Sequence, residues 1–337
     1  MKRTAIDLFS GCGGLSQGLK SAGFEVIACC EIRAEALQTY ALNMPDTIRY
    51  PDVRSLKGKK LLSDTGLAYG ELDLLAACPP CQGFSSMRTK NREIASDARN
   101  ELIFEVARLV KELLPKTILI ENVPRLLKDQ RLDQFKEILA KLGYQFSEGV
   151  LDAQNFGVAQ RRKRMILIGS ISGKLGLPPE LPTKKTVRDV ISYLPYPHEH
   201  NATALHKMKQ NFTDKVQERI EKVKVNRSDL PDYLQLECHK RYPKGFRDVY
   251  GRIDWDSVAP TITRSSHNPS KGRFIHPDQN RGLTLYEAML LQGFPKKFKF
   301  PVTLGIGKIS SMIGEAFPPP MAEAQASHIR RALDSLT

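Results

Sequence analysis

The stretch "TAIDLFSGCGGLSQGLKSAG" (residues 4–23) decides the fold class. Its first part, residues 4–9, is a short apolar run with the composition of a buried strand. Glycines follow directly, and apolar residues then recur at helical spacing until Gly23, a residue type typical of a helix end. A strand, a glycine-rich turn and a helix in this order indicate the first unit of an α/β fold that binds a nucleotide-containing ligand.

The alternation of strands and helices continues through the first half of the chain. Further strand-like apolar runs cover residues 25–31, 71–78, 117–122 and 164–170, and helical apolar stripes cover residues 33–42, 103–113 and 132–142. Strands separated by helices of this length predict a mostly parallel, doubly wound sheet. In such a sheet, ligands bind beyond the carboxyl ends of the strands.

The pattern weakens after about residue 170. Residues 171–280 are rich in Pro, His, Lys and Arg, and within them only residues 186–194 keep a clear helical period. Helical periodicity returns in residues 284–294 and again in residues 321–333. We therefore expect a second, smaller and irregular domain, followed by a terminal helix.

The charge of the chain points to a polyanionic partner. Its 337 residues include 51 Lys and Arg against 37 Asp and Glu, a formal net charge of +14. Such a balance favours nucleic acid or an anionic membrane surface, although simple solubility also produces it. No apolar run approaches the roughly 20 residues that span a bilayer, and the apolar part of the N-terminus is too short for a signal peptide. We expect a cytoplasmic protein, in which the six cysteines are reduced.

The glycine turn has the composition of a ligand-binding loop. The glycines that follow the first strand are Gly11, Gly13 and Gly14. They allow a ligand to approach the backbone and present N–H groups at a helix N-terminus. Glu31, at the end of the second strand, has the position of a carboxylate that accepts both hydroxyls of a ribose. Asp52 can accept from an adenine amino group, and Phe9 can stack on the adenine ring. Dinucleotide and S-adenosylmethionine enzymes both fit this pattern, and tight turn packing alone remains an alternative.

The segment "LDLLAACPPCQGFSS" (residues 72–86) contains two cysteines in a C-x-x-C spacing, Cys78 and Cys81. A structural zinc site needs four ligands, and the sequence has no second pair of this kind. A redox pair normally opens a helix, whereas two prolines fill the gap here. The remaining interpretation is a nucleophile, because Cys81 follows a strand end where substrate would bind and a thiolate can attack carbon. From this segment alone, an inert buried thiol remains the alternative.

Six motifs in order carry a family resemblance. They are DLFSGCGG (7–14), PPCQGFSS (79–86), ENV (121–123), QRRKR (160–164), LT--E---LQGFP (283–295) and IG-A-PP (313–319). Together they closely resemble the DNA (cytosine-5)-methyltransferase family of the bacterial restriction-modification type. The resemblance covers nearly the whole chain except roughly residues 175–260.

The resemblance implies an enzyme, a DNA (cytosine-5-)-methyltransferase. Such an enzyme transfers a methyl group from S-adenosylmethionine to C5 of a flipped-out cytosine in a specific duplex DNA sequence, through a covalent Cys81–C6 adduct. It implies a Rossmann-like S-adenosylmethionine-binding domain at residues 1–185 and 303–337, with a target-recognition domain and hinge at residues 186–302. Double-stranded DNA is the implied partner. The enzyme either accompanies a cognate restriction endonuclease that acts separately or is an orphan methylase. We expect a monomer that uses no metal.

The resemblance also assigns catalytic roles. Cys81 is the nucleophile, and Glu121 is the acid that hydrogen-bonds N3 and the exocyclic amine of cytosine, for which it must hold a proton. Arg162 and Arg164 contact the cytosine O2, and strand alternation places them on one face. The supporting residues, which brace the loop carrying Cys81, are Asn122 and Gln160.

Binding roles follow from the same resemblance. The residues of the implied cofactor site are Phe9, Gly11, Gly13, Gly14, Leu15, Glu31, Ile32, Asp52, Val53, Pro80, Glu315 and Ala316. The residues of the implied DNA interface are Gln82, Ser85, Ser86, Met87, Arg88, Arg99 and Arg264.

One departure from the family pattern bears on the cofactor. Glu315 stands where the family prefers an asparagine that helps to hold it, so an acidic residue there could alter cofactor affinity. No departure removes a catalytic group, and we expect an active enzyme. The alternatives are an RNA (tRNA) cytosine methyltransferase on the same scaffold, a DNA-binding protein that has lost catalysis, and a nicotinamide dehydrogenase that uses the glycine loop.

Overall fold

The structure, a computed structural model, describes residues 2–80, 101–208, 210–225, 230–241 and 248–335. The chain divides into two compact units. The first contains Met1–Phe156, Lys163–Pro182 and Phe317–Thr337, and the second contains Gly157–Arg162 and Thr183–Ala316. Residues 157–162 and 303–316 thus group with the second unit. The functional assignment of the two domains stays a prediction.

A seven-stranded sheet forms the centre of the first unit. Its strands are β1 (Arg3–Leu8), β2 (Phe24–Cys30), β3 (Ile48–Tyr50), β4 (Leu74–Ala77), β5 (Thr117–Asn122), β6 (Gln145–Asp152) and β7 (Lys163–Ser170). Their order is β3-β2-β1-β4-β5-β7-β6. The first five strands pair in parallel, whereas β7 is antiparallel to both β5 and β6. The predicted α/β class and the mostly parallel sheet are therefore confirmed.

Helices connect these strands and continue into the second unit. They are α1 (Gly14–Ser21), α2 (Ala34–Asn43), α3 (Gly58–Thr65), α4 (Leu102–Leu113), α5 (Gln130–Ala140), α6 (Val187–Ile191), α7 (Asp214–Lys222), α8 (Glu237–Arg241), α9 (Leu285–Leu291), α10 (Gly305–Glu315) and α11 (Pro319–Asp334). Within the first unit α11 packs on α1, where Gly18 allows the approach: a Cβ on it would lie 2.4 Å from the Ala322 Cβ. The terminal helix inferred from periodicity is α11.

The core of the first unit lies on both faces of its sheet. Adjacent residues of β2 show this, because Cys30 packs into the large core that includes β4, β5, α4 and α5. Cys29 instead packs against Tyr40 and Met44 of the α2 region. The opposite orientation of these two neighbours follows from the period of two in a strand. Apolar side chains on both faces explain why the strands read as continuous apolar runs.

The second unit has its own small core and little regular structure. Ile220, Val223, Leu234, Tyr250 and Ile275 are buried together. Outside its helices and short 3-10 turns, the β structure found among its described residues consists of isolated bridges. Across the parts of the chain that the structure describes, no helix is long and apolar enough to cross a membrane.

Candidate active site

The glycine loop joins β1 to α1 through a backbone conformation that few residues other than glycine adopt. Phe9, Gly11 and Gly13 have φ values of 60°, 55° and 101°, all in the left-handed region. Among the described residues, no heavy atom lies within 4 Å of the position that a Cβ on Gly11 would take. A Cβ on Gly13 would lie 3.2 Å from the Tyr40 ring. The loop is therefore open at Gly11 and closely packed at Gly13.

Glu31 closes this loop from the neighbouring strand. It follows β2, which pairs with β1, and its carboxylate is 8% exposed. Oε2 accepts a hydrogen bond from the Gly11 N–H at 2.9 Å, and Oε1 accepts one from the Arg33 N–H at 2.9 Å. Arg33 Nε also lies 3.4 Å from Oε1, so Oε2 is the oxygen that keeps a lone pair for a ligand hydroxyl. The structure thus brings together Glu31 and the glycine loop, as the sequence predicts.

Further residues of the predicted cofactor site lie near the ends of β2, β3 and β4. The Ile32 side chain is 65% exposed, whereas Leu15 and Val53 are buried, so these two have only backbone to offer a ligand. Asp52 follows β3, and its Oδ1 accepts from the Arg54 N–H at 3.0 Å. Phe9 is half-buried against the core, Gly14 begins α1, and Pro80 lies in the segment after β4.

The sequence does not mark one residue that supports this region. Arg108 of α4 donates from Nη2 to the Val53 carbonyl at 2.9 Å while it pairs with Glu105 and Glu112 of its own helix. It thereby holds the loop that contains Asp52. The spacing of the charges predicts the helical ion pairs, but nothing local marks the contact with residue 53.

Glu121 and Arg164 meet because β7 runs antiparallel to β5. The register pairs Glu121 with Ile166, which brings the end of β5 beside the beginning of β7. Arg164 Nε then lies 2.7 Å from Glu121 Oε1, and the two side chains are only 16% and 11% exposed. The pair fixes the orientation of the carboxyl group at the carboxyl end of the sheet.

Asn122 holds the segment that leads to Cys81. Its Nδ2 donates to the Pro79 carbonyl at 2.9 Å, and its Oδ1 accepts from the Val123 N–H. The same segment contains Cys78, whose thiol pKa is raised well above its usual value by burial and further by the negative charge of Glu121. A thiol in this state is a poor nucleophile. Cys81, Gln82, Ser85, Ser86, Met87, Arg88 and Arg99 lie outside the described residues.

Arg162 precedes the strand that contains Arg164, so alternation along a strand does not relate the two side chains, and their shared face stays a prediction. β7 begins at Lys163, and Arg162 belongs to the second unit. There its buried guanidinium donates to the carbonyls of Ile262, at 3.0 Å, and Gly314, at 2.8 Å. Strand alternation cannot order a residue that precedes the strand. A contact of Arg162 with the cytosine stays a prediction.

The other supporting residue, Gln160, braces the second unit. Its Nε2 donates to Gln292 Oε1 at 2.7 Å, and its Oε1 accepts from the Ile262 N–H at 2.8 Å. Glu315 and Ala316 also belong to this unit, where Glu315 Oε1 lies 3.4 Å from Arg264 Nη1. The bracing of the Cys81 loop by Gln160 stays a prediction, as do the cofactor and DNA roles of the other three residues.

Within the described residues, no three His, Cys, Asp or Glu side chains are grouped as metal ligands would be. Among the described residues, the candidate site presents the Glu121–Arg164 ion pair and the glycine loop.

The model of one protein family, the C-5 cytosine-specific DNA methylases, matches residues 3–331. This chain belongs to that family. The type II methylase M.HgiDII of Herpetosiphon aurantiacus is 32% identical over 358 residues, covering 100% of this chain and 97% of its own length. The type II methyltransferase M1.HphI of Haemophilus parahaemolyticus is 33% identical over 341 residues, covering 98% of this chain and 87% of its own length.

Solved structures show the same fold. A prophage-encoded protein described as a DNA modification methyltransferase (E. coli) superposes with a TM-score of 0.76 at 24% identity, covering 98% of this chain and 99% of its own. The Dnmt2 methyltransferase of S. pombe has a TM-score of 0.66 at 18% identity, covering 99% of this chain and 100% of its own. The predicted family and enzyme class, a DNA (cytosine-5-)-methyltransferase of the restriction-modification type, are confirmed. The family uses S-adenosylmethionine.

Proposed function

We propose that this methyltransferase modifies C5 of a flipped-out cytosine in a specific duplex DNA sequence through a covalent bond between Cys81 and C6. The observation that carries the proposal is the 2.7 Å pair of Arg164 and Glu121 at the carboxyl end of the sheet. Asn122, the next residue, holds the Pro79 carbonyl two residues before Cys81. The Glu121 carboxyl group and the segment that leads to Cys81 are held at the same end of the sheet, which supports this assignment.

The residues of the first unit fit S-adenosylmethionine. This cofactor supplies a methyl group on a positively charged sulfur, which makes the methyl carbon electrophilic. The open space at Gly11 leaves room for the cofactor, and the start of α1 offers N–H groups to its carboxylate. Glu31 offers its carboxylate to the ribose hydroxyls, with Oε2 the less occupied oxygen, and the exposed Ile32 offers an apolar surface to the adenine. We expect Asp52 to accept from the adenine amino group.

The protein must activate C5, which is a weak nucleophile in cytosine. In the proposed step, the Cys81 thiolate forms a bond to C6, and the electrons of the C5=C6 bond make C5 nucleophilic. The Glu121 carboxylate, charged in its pair with Arg164, takes up a proton when the base binds and donates it toward N3, which neutralises the charge that develops on the ring. Arg164 holds Glu121 in position and contacts O2. After C5 has taken the methyl group, a base removes the C5 proton, the C5=C6 bond reforms and Cys81 leaves as a thiolate.

Access to C6 requires that the base leaves the helix. Within a duplex, stacking covers both faces of the ring, so enzymes that react with ring atoms flip the base out. We assign recognition of the surrounding sequence to the second unit, together with Arg264 and residues 82–99. The net charge of +14 fits contacts to the phosphate backbone.

Methyl transfer to defined nucleic acids tests the proposal. Protein is incubated with methyl-labelled S-adenosylmethionine and either duplex DNA or tRNA, and modified cytosines are mapped. We expect label at C5 of cytosines in one short DNA sequence. Label that enters only tRNA would contradict the substrate, and binding of the cofactor without transfer to either substrate would indicate a protein that has lost catalysis.

The restriction-modification type suggests a biological setting. We expect a monomer in the cytoplasm that protects DNA from a separate cognate endonuclease. Plasmid DNA from cells that express the chain should then resist one restriction specificity, and sedimentation should give the mass of one chain. Methylation in all cytosine contexts would contradict the expected sequence specificity.

A further inference from the structure

Three polar side chains form a buried chain of hydrogen bonds beneath the glycine loop. Asp7 lies in β1, Ser16 in the first turn of α1 and Tyr40 in α2, and all three residues are 0% exposed. Ser16 Oγ donates to Asp7 Oδ2 at 2.6 Å. The Tyr40 hydroxyl lies 2.7 Å from Ser16 Oγ, so it can donate to that oxygen and complete the chain.

This series of hydrogen bonds connects the two ends of the glycine loop. Asp7 precedes the loop and Ser16 follows it, so their hydrogen bond closes a segment that contains three residues at positive φ. The Tyr40 ring packs beside this segment, within 3.2 Å of where a Gly13 Cβ would lie. Both ends and one face of the loop are thus fixed by the same three residues. Backbone in sparsely populated conformations persists where its surroundings determine it in this way.

Burial of the Asp7 carboxyl group destabilises the folded state, so packing alone does not explain this residue. Its Oδ1 is buried and has no hydrogen-bond partner among the described residues. A buried carboxyl group with an unsatisfied oxygen is destabilising relative to an apolar residue of similar size. Asp7 therefore contributes something other than core stability at this place, and the loop is the neighbouring element that needs to be held.

We propose that Asp7, Ser16 and Tyr40 are positioning residues that hold the glycine loop in the conformation that binds the cofactor. Tyr40 acts through its ring on Gly13 and through its hydroxyl on Ser16. This inference rests on the proposed binding of S-adenosylmethionine by the loop. It assigns a role to residues outside the predicted cofactor site.

Cofactor affinity measured by calorimetry tests this role without requiring catalysis. The Tyr40→Phe variant keeps the ring and removes only the hydroxyl, and Ser16→Ala breaks both hydrogen bonds. Tyr144→Phe is the matched control, because Tyr144 is equally an interior tyrosine whose hydroxyl donates to a backbone carbonyl, that of Pro115, away from the loop. Dissociation constants are measured for S-adenosylmethionine, for S-adenosylhomocysteine and for duplex DNA.

We expect Tyr40→Phe to weaken the binding of both cofactor forms about three- to tenfold, the size of one lost hydrogen bond. Ser16→Ala should weaken it more, and neither should change DNA affinity by more than about twofold. In steady state, KM for S-adenosylmethionine should rise while kcat at saturating cofactor is kept. The control should match the wild type in cofactor affinity even if its thermal stability falls.

Two results separate failure of this inference from failure of the proposed function. A wild type that binds S-adenosylmethionine, with Tyr40→Phe and Ser16→Ala binding it equally well, would overturn the positioning role alone. A folded wild type that binds neither cofactor form would overturn both. If Ser16→Ala does not fold, the Tyr40→Phe result decides, because that variant leaves the packing of the ring intact.

Discussion

The glycine loop and the Glu121–Arg164 pair lie at ends of strands in one sheet, but they are built from different parts of the chain. The loop presents backbone groups. The side chains of Glu31 and Tyr40, which surround the loop, hold that backbone in place. The pair presents side chains, and the antiparallel register of β5 and β7 brings them together. The comparison teaches that a cofactor can be recognised by conformation, whereas proton transfer depends on individual functional groups. Substitutions at the two places should therefore fail in different ways.

The largest effect is expected at the acid. Glu121→Gln keeps the shape of the side chain but cannot donate a carboxyl proton, so kcat should fall by about 10²- to 10⁴-fold, the usual range for a general acid. Cofactor affinity should stay at the wild-type value, since Glu31 and the loop are unchanged. Single-turnover methyl transfer checks the expected loss of rate, and calorimetry checks the unchanged cofactor affinity. If Glu121→Gln had a normal kcat but bound the cofactor more weakly, the separate roles of Glu121 in catalysis and of the loop in cofactor binding would be contradicted.

Asp7 should give the first unit a characteristic pH dependence. Burial raises the pKa of Asp7 from 3.8 to about 7, opposed in part by hydrogen bonds from Ser16. The folded state then holds a proton that the unfolded state releases near pH 4. The proton bound to Asp7 therefore stabilises the folded state, and this stabilisation is fully present below the unfolded pKa. It is lost as the pH rises to about 7, so the free energy of unfolding falls by about 4 kcal/mol in all.

Asp7→Asn should abolish this dependence. The difference in unfolding free energy between the variant and the wild type should grow from pH 4 to pH 7 and then stay constant, as measured by denaturant titration. The neighbouring groups do not interfere, because burial also raises the pKa of Cys29 and of Cys78, so both thiols stay neutral in this window. The nearby Glu31 charge adds to the rise at Asp7. Parallel pH profiles for the two proteins would contradict the buried, protonated Asp7.

Arg164 should tolerate no exchange for lysine. The ammonium group of lysine cannot reproduce the planar guanidinium that approaches Glu121 Oε1 through Nε while Nη1 donates to the Lys163 carbonyl. We expect Arg164→Lys to lower kcat by about ten- to a hundredfold, less than loss of the acid itself. Arg161→Lys offers a matched exchange in the same basic run and should leave kcat near the wild-type value. Equal losses in the two variants would mean that charge alone matters.

The smallest effects separate two glycines of the loop. Gly13→Ala places a Cβ 3.2 Å from the Tyr40 ring at a φ of 101°, whereas Gly11→Ala meets no neighbour among the described residues at a φ of 55°. We expect a loss of about 1–3 kcal/mol in stability for Gly13→Ala, from backbone strain and contact, and about half of that for Gly11→Ala. In a cofactor titration, Gly11→Ala should lose more affinity than Gly13→Ala, because a methyl group at Gly11 occupies the open side of the loop. Identical stability and affinity in both variants would contradict the described loop.

The sheet was predictable because most of its strands are buried on both faces and read as continuous apolar runs. β6 escaped prediction because it is an edge strand, where the sequence "QFSEGVLD" keeps few apolar residues and several side chains are exposed. Glu121 was predictable as a strand-end carboxylate. Its pairing with Arg164 followed only from the antiparallel direction of β7, which periodicity does not reveal.

The contacts of Arg162 and Gln160 could not be predicted for a related reason. Both residues lie outside regular elements, and their partners, the backbone of Ile262 and the side chain of Gln292, are about a hundred or more residues away in the sequence. Spacing rules apply only within an element. The buried chain from Asp7 to Tyr40 escaped for the same reason, since each member lies on a different element.

Trapping of the covalent adduct tests the central claim most directly. Duplex DNA that carries 5-fluorocytosine at the target position is incubated with the protein and S-adenosylmethionine, because fluorine at C5 cannot leave as a proton does. We predict a denaturation-resistant protein–DNA adduct whose peptide maps to Cys81, present in Cys78→Ala and absent in Cys81→Ala. Normal methyl transfer by Cys81→Ala, or an adduct that maps to Cys78, would contradict the account.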